Sequence, residues 1–305
     1  MVMRVLFSIL LLFVSAFSFG QMLNDSPFNA SVSNPKYKQQ KGPHILIDAG
    51  HHNFIVEMGL IKPFVDLSTN DGYRPKIDSG VFTPAYLANY QMVLITPAMP
   101  FKFGSKKEVT TEITFTPNEL AALKDWVNKG GSLIMLSEHA PIDKSMTPLF
   151  NTFGIQLSIG AVVDSVNYDT RIQFPNAETL LLFNSNNGLL NNNHPIIKGN
   201  NKSEWVQNIE TYTGCALTGE GYTNIFKLSP SAIIRKWSGS QPSGGGNSQC
   251  LAGSFGKGKL VALGDCNGFT AMYVNSGGKK FSAGMQVEQY DWRQFVLNTL
   301  HWLSK

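Results

Sequence analysis

Three short stretches hold the residues best equipped for chemistry. In "HILIDAGHHNF" an apolar run ends in Asp48, followed by His51, His52 and Asn53. In "SLIMLSEHAP" the run ends in Ser137, Glu138 and His139. In "GKLVALGDCNGF" it ends in Asp265, with Cys266 and Asn267 behind it. Carboxylates beside imidazoles can pass protons as general acid and base, and the same donors can hold a divalent transition metal. On that reading Glu138 is the general base or a metal ligand, His51 and His139 are proton carriers or ligands, and Asp48 orients a histidine. Asn53, Asp265 and Asn267 then line the ligand pocket. Adjacent side chains point apart, so only one of His51 and His52 is expected to face it. Plainer roles compete: Asp48 suits tying down a loop, and Asp265 suits capping a helix that begins near Thr270. His44 before a strand reads as surface, His194 ahead of a proline as structural, and His301 beside Trp302 as core or rim.

The elements that must carry these residues follow from the patterning. The three runs, and a fourth in "QMVLITPA", are apolar on both faces, as strands inside a parallel sheet must be. Helical segments fall between them. "PFVDLSTNDGY" ends at Gly72, and "FTPAYLANY" offers Thr83 as N-cap ahead of Pro84. "FTPNELAALKDWVNKGG" is the clearest: Thr116 caps, Pro117 opens, Glu119 completes a capping box, and Gly130 stops it. Leu120, Leu123 and Val127 share its apolar face. "TPLFNTFG" continues the pattern, and "DWRQFVLNTLHWLSK" closes the chain as an amphipathic helix. This alternation predicts an α/β fold, a three-layer sandwich around a mostly parallel sheet. Ligands of such sheets bind outside the carboxyl ends of the strands, where the three polar tails would converge if their strands are neighbours. Residues 155–250 change character, with Asn-rich loops and alternating runs, and read as a β-rich insertion or sheet extension. "GSFGKGK" reads as a hairpin turn.

Residues 1–20 have the charged start, apolar middle and small-residue end of a secretory signal peptide. The expected layout is therefore a signal over 1–20, a flexible linker over 21–41 and a single α/β domain over 42–305, in an exported, periplasmic or secreted protein. No later stretch is long and apolar enough to span a membrane. Three cysteines allow one disulfide, with Cys215–Cys250 the expected pair and Cys266 buried and free. A net charge of +4 without a basic, aromatic-interleaved cluster argues against nucleic acid as partner. The chain has no G-x-S-x-G elbow, no Walker loop, no G-x-G-x-x-G after its first strand and no helical H-x-x-x-H pair.

The blocks "DAGHHNF", "DGYRP", "FTPNELAALKDWVNKGGSLIMLSEHAP", "NHPIIKG", "FGKGKLVALGD" and "RQFVLNTLHWL", in this order, resemble bacterial exported proteins of unknown function with a class I glutamine amidotransferase-like, flavodoxin-like domain. The resemblance covers about residues 42–305. It implies that fold and a nucleophile turn after a central strand. True glutamine amidotransferases have cysteine at that turn; here it reads Leu136, Ser137, Glu138, His139, which excludes thiol-dependent amidotransfer. Members of the family tend to keep an acid and a histidine after this strand and an acid after the late strand, matching Glu138, His139 and Asp265. Two functions stay open. One is a hydrolase-like enzyme acting on a glycan or an amide, favoured by the clustered ionisable groups. The other is a non-catalytic module binding a small molecule, a glycan or an envelope protein, favoured by the missing cysteine.

Overall fold

The computed structural model describes residues 21–24, 28–105, 113–171, 177–236, 239–241, 247–276 and 279–305. The expected signal peptide lies outside the described residues. In the first half, strands β1 (Gln21–Asn24), β2 (His44–Asp48), β3 (Arg74–Asp78), β4 (Met92–Ile95) and β5 (Ser132–Leu136) are interleaved with helices α1 (Phe54–Glu57), α2 (Lys62–Asn70), α3 (Pro84–Leu87) and α4 (Pro117–Asn128). Helix α5 (Ile142–Thr152) follows, and then strands dominate: β6 (Ile155–Leu157), β7 (Ala161–Asp164), β8 (Leu180–Asn184), β9 (Asn208–Tyr212), β10 (Leu217–Gly219), β11 (Thr223–Lys227), β12 (Ala232–Lys236) and β13 (Gly239–Gln241). A short α6 (Pro195–Lys198) interrupts them. Strands β14 (Ser248–Phe255), β15 (Gly258–Leu263), β16 (Ala271–Ser276) and β17 (Lys279–Gly284) lead into α7 (Trp292–Leu303).

The main sheet runs β3-β2-β4-β5-β15-β14-β10-β6, with β11 also paired to β14. Its first five strands are parallel, and β14, β10 and β6 extend it by antiparallel pairing. Alternate residues of the parallel strands feed two cores. Ile45, Ile47, Leu94, Ile134, Leu136, Val261 and Leu263 pack with α2 and α7 on one face. Leu46, Val93, Ile95, Leu133, Met135, Leu260 and Ala262 pack with α4 and α5 on the other. Each such side chain removed from water contributes about 1.5–3 kcal/mol. Strand order decides which polar tails meet: β5 and β15 are neighbours, whereas β4 separates β2 from β5.

Local signals behave as their chemistry dictates. Thr116 and Glu119 form the full capping box of α4, and Thr83 Oγ1 accepts the N–H of Tyr86 at the start of α3. The β14–β15 hairpin turns through "GKG", with Phe255 opposite Gly258. Several expectations change. Helix α5 begins at Ile142, ahead of the "TPLF" signal. The stretch expected as a linker instead contributes β1, which pairs with β16, and its Tyr37 packs edge-on against Tyr73. No helix starts near Thr270; a single 3-10 turn, Asn267–Phe269, leads directly into β16. The three cysteines are all free and buried, so the Cys215–Cys250 bridge is not made. The cause is topological: Cys215 lies in the α4–α5 core and Cys250 in the α2–α7 core.

The outer edge at β3 has a particular register. Arg74 N donates to Pro43 O and Ala49 N to Asp78 O, so residues 74, 76 and 78 spend their backbone groups on β2. Pro75 and Ile77 face outward. The opposite edge, β6, is three residues long.

Candidate functional site

At the end of β2 the polar tail is locked into a closed network. His51 Nδ1 lies 2.8 and 3.0 Å from the two oxygens of Asp48, and Nε2 lies 3.2 Å from Glu119 Oε1. Asp48 also accepts from Gly50 N and from Asn53 Nδ2, which donates in addition to Thr96 O. The other Glu119 oxygen accepts from Thr116 N and Oγ1, so the capping carboxylate of α4 is also the second partner of His51. Phe82 and Phe115 cover the imidazole at 4.9 and 4.5 Å between centroids. Burial disfavours the charged ring, but the Asp48 and Glu119 carboxylates outweigh it, and His51 titrates above its ordinary value. Burial pushes Glu119 up, yet the Thr116 bonds and the His51 charge hold it below the usual range. Both ring nitrogens and both carboxylates are committed internally, so Asp48, His51 and Asn53 brace the loop. His52 points outward and pairs with Glu57.

The second cluster joins β5 to β15. Glu138 Oε1 accepts the N–H of His139 at 2.9 Å, and Oε2 lies 3.4 Å from Cys266 Sγ and 3.3 Å from Asn267 Nδ2. Asp265 Oδ1 accepts from Asn267 N at 2.6 Å, and Oδ2 accepts from Tyr212 N on β9. Both acids are buried. Burial raises Glu138, to about 7, against the bonds it receives. Burial and then the Glu138 charge raise Asp265, to about 8. The two titrate as one pair. His139 sits at the mouth, its Nδ1 2.8 Å from Ala140 O and its Nε2 3.9 Å from Glu138 Oε1. The Cys266 thiol is pushed well above its usual value by burial and by both acids, which leaves it a poor nucleophile. Of the seven residues named from sequence, then, Glu138, His139, Asp265 and Asn267 come together, and Asp48, His51 and Asn53 form a separate knot. Among the described residues no three His, Cys, Asp or Glu side chains are arranged to hold a metal ion, and the donors do not fit the transition-metal site that the sequence suggested.

A third polar group escaped sequence reasoning. The Tyr290 hydroxyl stands between Asp169 and Glu210, 2.9 Å from Glu210 Oε2, and Arg171 grips Asp169 through two 2.9 Å bonds. Burial pushes Glu210 up to about 8, and Arg171 and Tyr290 overcome burial to hold Asp169 far below the carboxylate range. These residues come from the β-rich half, and no strand-end pattern marks them.

No family model matches the chain, and no curated protein does. Among solved structures it is similar to the mmIFT52 N-terminal domain, with a TM-score of 0.56, 16% identity, and 86% of this chain and 97% of that one covered. At this identity the likeness is one of fold. ThuA-like proteins from Parabacteroides merdae (TM-score 0.45, 11% identity, 87% and 91% covered) and Bacteroides uniformis (TM-score 0.44, 13% identity, 91% and 94% covered) are also similar.

Proposed function

We propose that this chain is an exported, non-catalytic binding module with a class I glutamine amidotransferase-like, flavodoxin-like fold, which presents the carboxyl-end loops of β2, β3 and β4 to an apolar surface of a protein partner. One observation carries the reading. Four large apolar side chains stand exposed on these loops: Met58 at 40%, Val81 at 64%, Phe103 at 41% and Ile113 at 70%. Large apolar side chains exposed on neighbouring strand-end loops are what a partner site would offer. Their loops are held from below. Phe103 rests on Phe54 at 4.5 Å, and its N–H donates to Glu57. Val81 directly precedes Phe82, and Ile113 lies two residues before Phe115, the two rings clamped on His51. The acid pair of β5 and β15 suits hydrolysis less well, because its carboxyls spend their lone pairs on internal donors and the adjacent thiol is held protonated.

A photo-crosslinking residue at position 81 or 113, with positions 166 and 205 as exposed controls, tests this in the producing cell. A single protein adduct at 81 and 113, absent at 166 and 205 and lost to competition by the unlabelled chain but not by its Val81→Asp/Ile113→Asp variant, is the expected result. Equal adducts at all four positions, or none, would refute it. Turnover of a chromogenic glycoside or amide that disappears in Glu138→Gln would instead install the hydrolase reading.

A further inference from the structure

The corner between β9 and β10 is strained. Thr213 and Gly214 are consecutive residues with φ of 68° and 66°, and Thr213 is β-branched and buried. Such a conformation persists only where its surroundings impose it. Here the restraints are specific. Gly214 packs so closely that a Cβ would meet Gly264 O at 2.5 Å. Thr213 N donates to Thr179 O, and Gln249 Nε2 donates to Thr213 O. The N–H of Tyr212, just before Thr213, goes to the buried Asp265, which also feels the charge of Glu138.

We propose that Glu138 and Asp265 form a proton-dependent latch that holds the Tyr212–Gly214 corner, and with it the β8–β9 hairpin, against the main sheet. The carboxyls rise from neighbouring strands, whose backbones lie about 4.8 Å apart. With a proton on the pair, one negative charge is buried among N–H donors. With both ionised, two like charges share a dry site, and the relief is for one carboxylate to turn to water. Turning Asp265 drops the Tyr212 N–H. That loss lets the corner leave its left-handed conformation.

Among the described residues, the surrounding groups do not supply a fixed countercharge. His139 stands at 3.9 Å on the strand's own end, Asp143 on α5 bonds Gly160 N and Lys144 N, and Cys215 and Cys266 are buried thiols. From β9, Tyr212 faces Asp265, Glu210 bonds Tyr290, and beyond them Arg171 is already spent on Asp169 and Tyr290. The sign follows from the raised titration of both acids. The folded pair binds more protons than the unfolded chain, so the latch is tightest in acid and weakens as pH climbs through about 7 to 8.

Amide exchange of the full chain at pH 6 and pH 9, each rate divided by its unstructured rate at that pH, reads the latch directly. Protection over residues 208–216 should fall at least about tenfold between the two pH values, while β4 keeps its protection. In Glu138→Gln or Asp265→Asn, each shown folded by wild-type protection of β4 at pH 6, the fall should vanish. Constant protection of 208–216 in the wild type, a parallel fall in β4, or a fall that survives in both variants would overturn the proposal.

Discussion

His51→Ala should be among the most damaging single substitutions in this chain. The imidazole bridges two carboxylates, Asp48 fully buried and Glu119 nearly so, and its removal leaves both facing an uncompensated gap beneath Phe82 and Phe115. Removing one member of a buried ion pair costs about 3–5 kcal/mol. At about 2 °C per kcal/mol for a domain of this size, the melting temperature should drop by roughly 6–10 °C. The loss should also depend on pH. The folded His51 titrates above its ordinary value, so its contribution is complete below about 6.5 and fades as pH rises through the folded value. Thermal unfolding of wild type and variant at pH 5.5, 7 and 9 reads both effects. Taking the difference at each pH cancels the acid pair of β5 and β15, which is present in both proteins. A variant that melts with the wild type, or a difference that is the same at all three pH values, would refute a charged, load-sharing His51.

Two further outcomes follow from packing. Thiol titration of protein prepared without reductant should give three thiols per chain in denaturant and almost none in the native state, because all three cysteines are free and buried; one thiol in denaturant would show a disulfide. Gly264→Ala should destabilise by about 1–3 kcal/mol or more, because the new Cβ would stand 1.9 Å from Cys215 O, and a melting temperature within 1 °C of wild type, about the resolution of such scans against the shift expected here, would contradict the packing.

The parallel half of the fold was legible because its signals are local. Strands β2, β4, β5 and β15 are apolar on both faces, and α4 announces itself through Thr116, Pro117, Glu119 and Gly130. The pairing of Glu138 with Asp265 was legible only on condition that their strands are neighbours, which nothing in the chain states. The fate of His51 was not legible at all. Its deciding partner lies 68 residues away, and Glu119 already had a sufficient local role as the capping residue. The cysteine pairing failed for a related reason: spacing along the chain does not reveal that a sheet lies between two side chains. The Tyr290 group combines Asp169 and Arg171 from one loop with Glu210 from β9, in the β-rich half, where alternation marks strands but not their company.

The β3 and β6 borders of the main sheet bear on strand addition. A strand with one free side is a template for another, and it needs a run of outward N–H and C=O groups to act as one. On β3 the outward positions are Pro75, which has no N–H, and Ile77, with Lys76 between them; β6 offers only three residues. Neither border can seed a continuing ladder. Growth by strand addition is thereby discouraged at these two borders, and a partner that meets them must be held by side chains rather than by a shared backbone ladder.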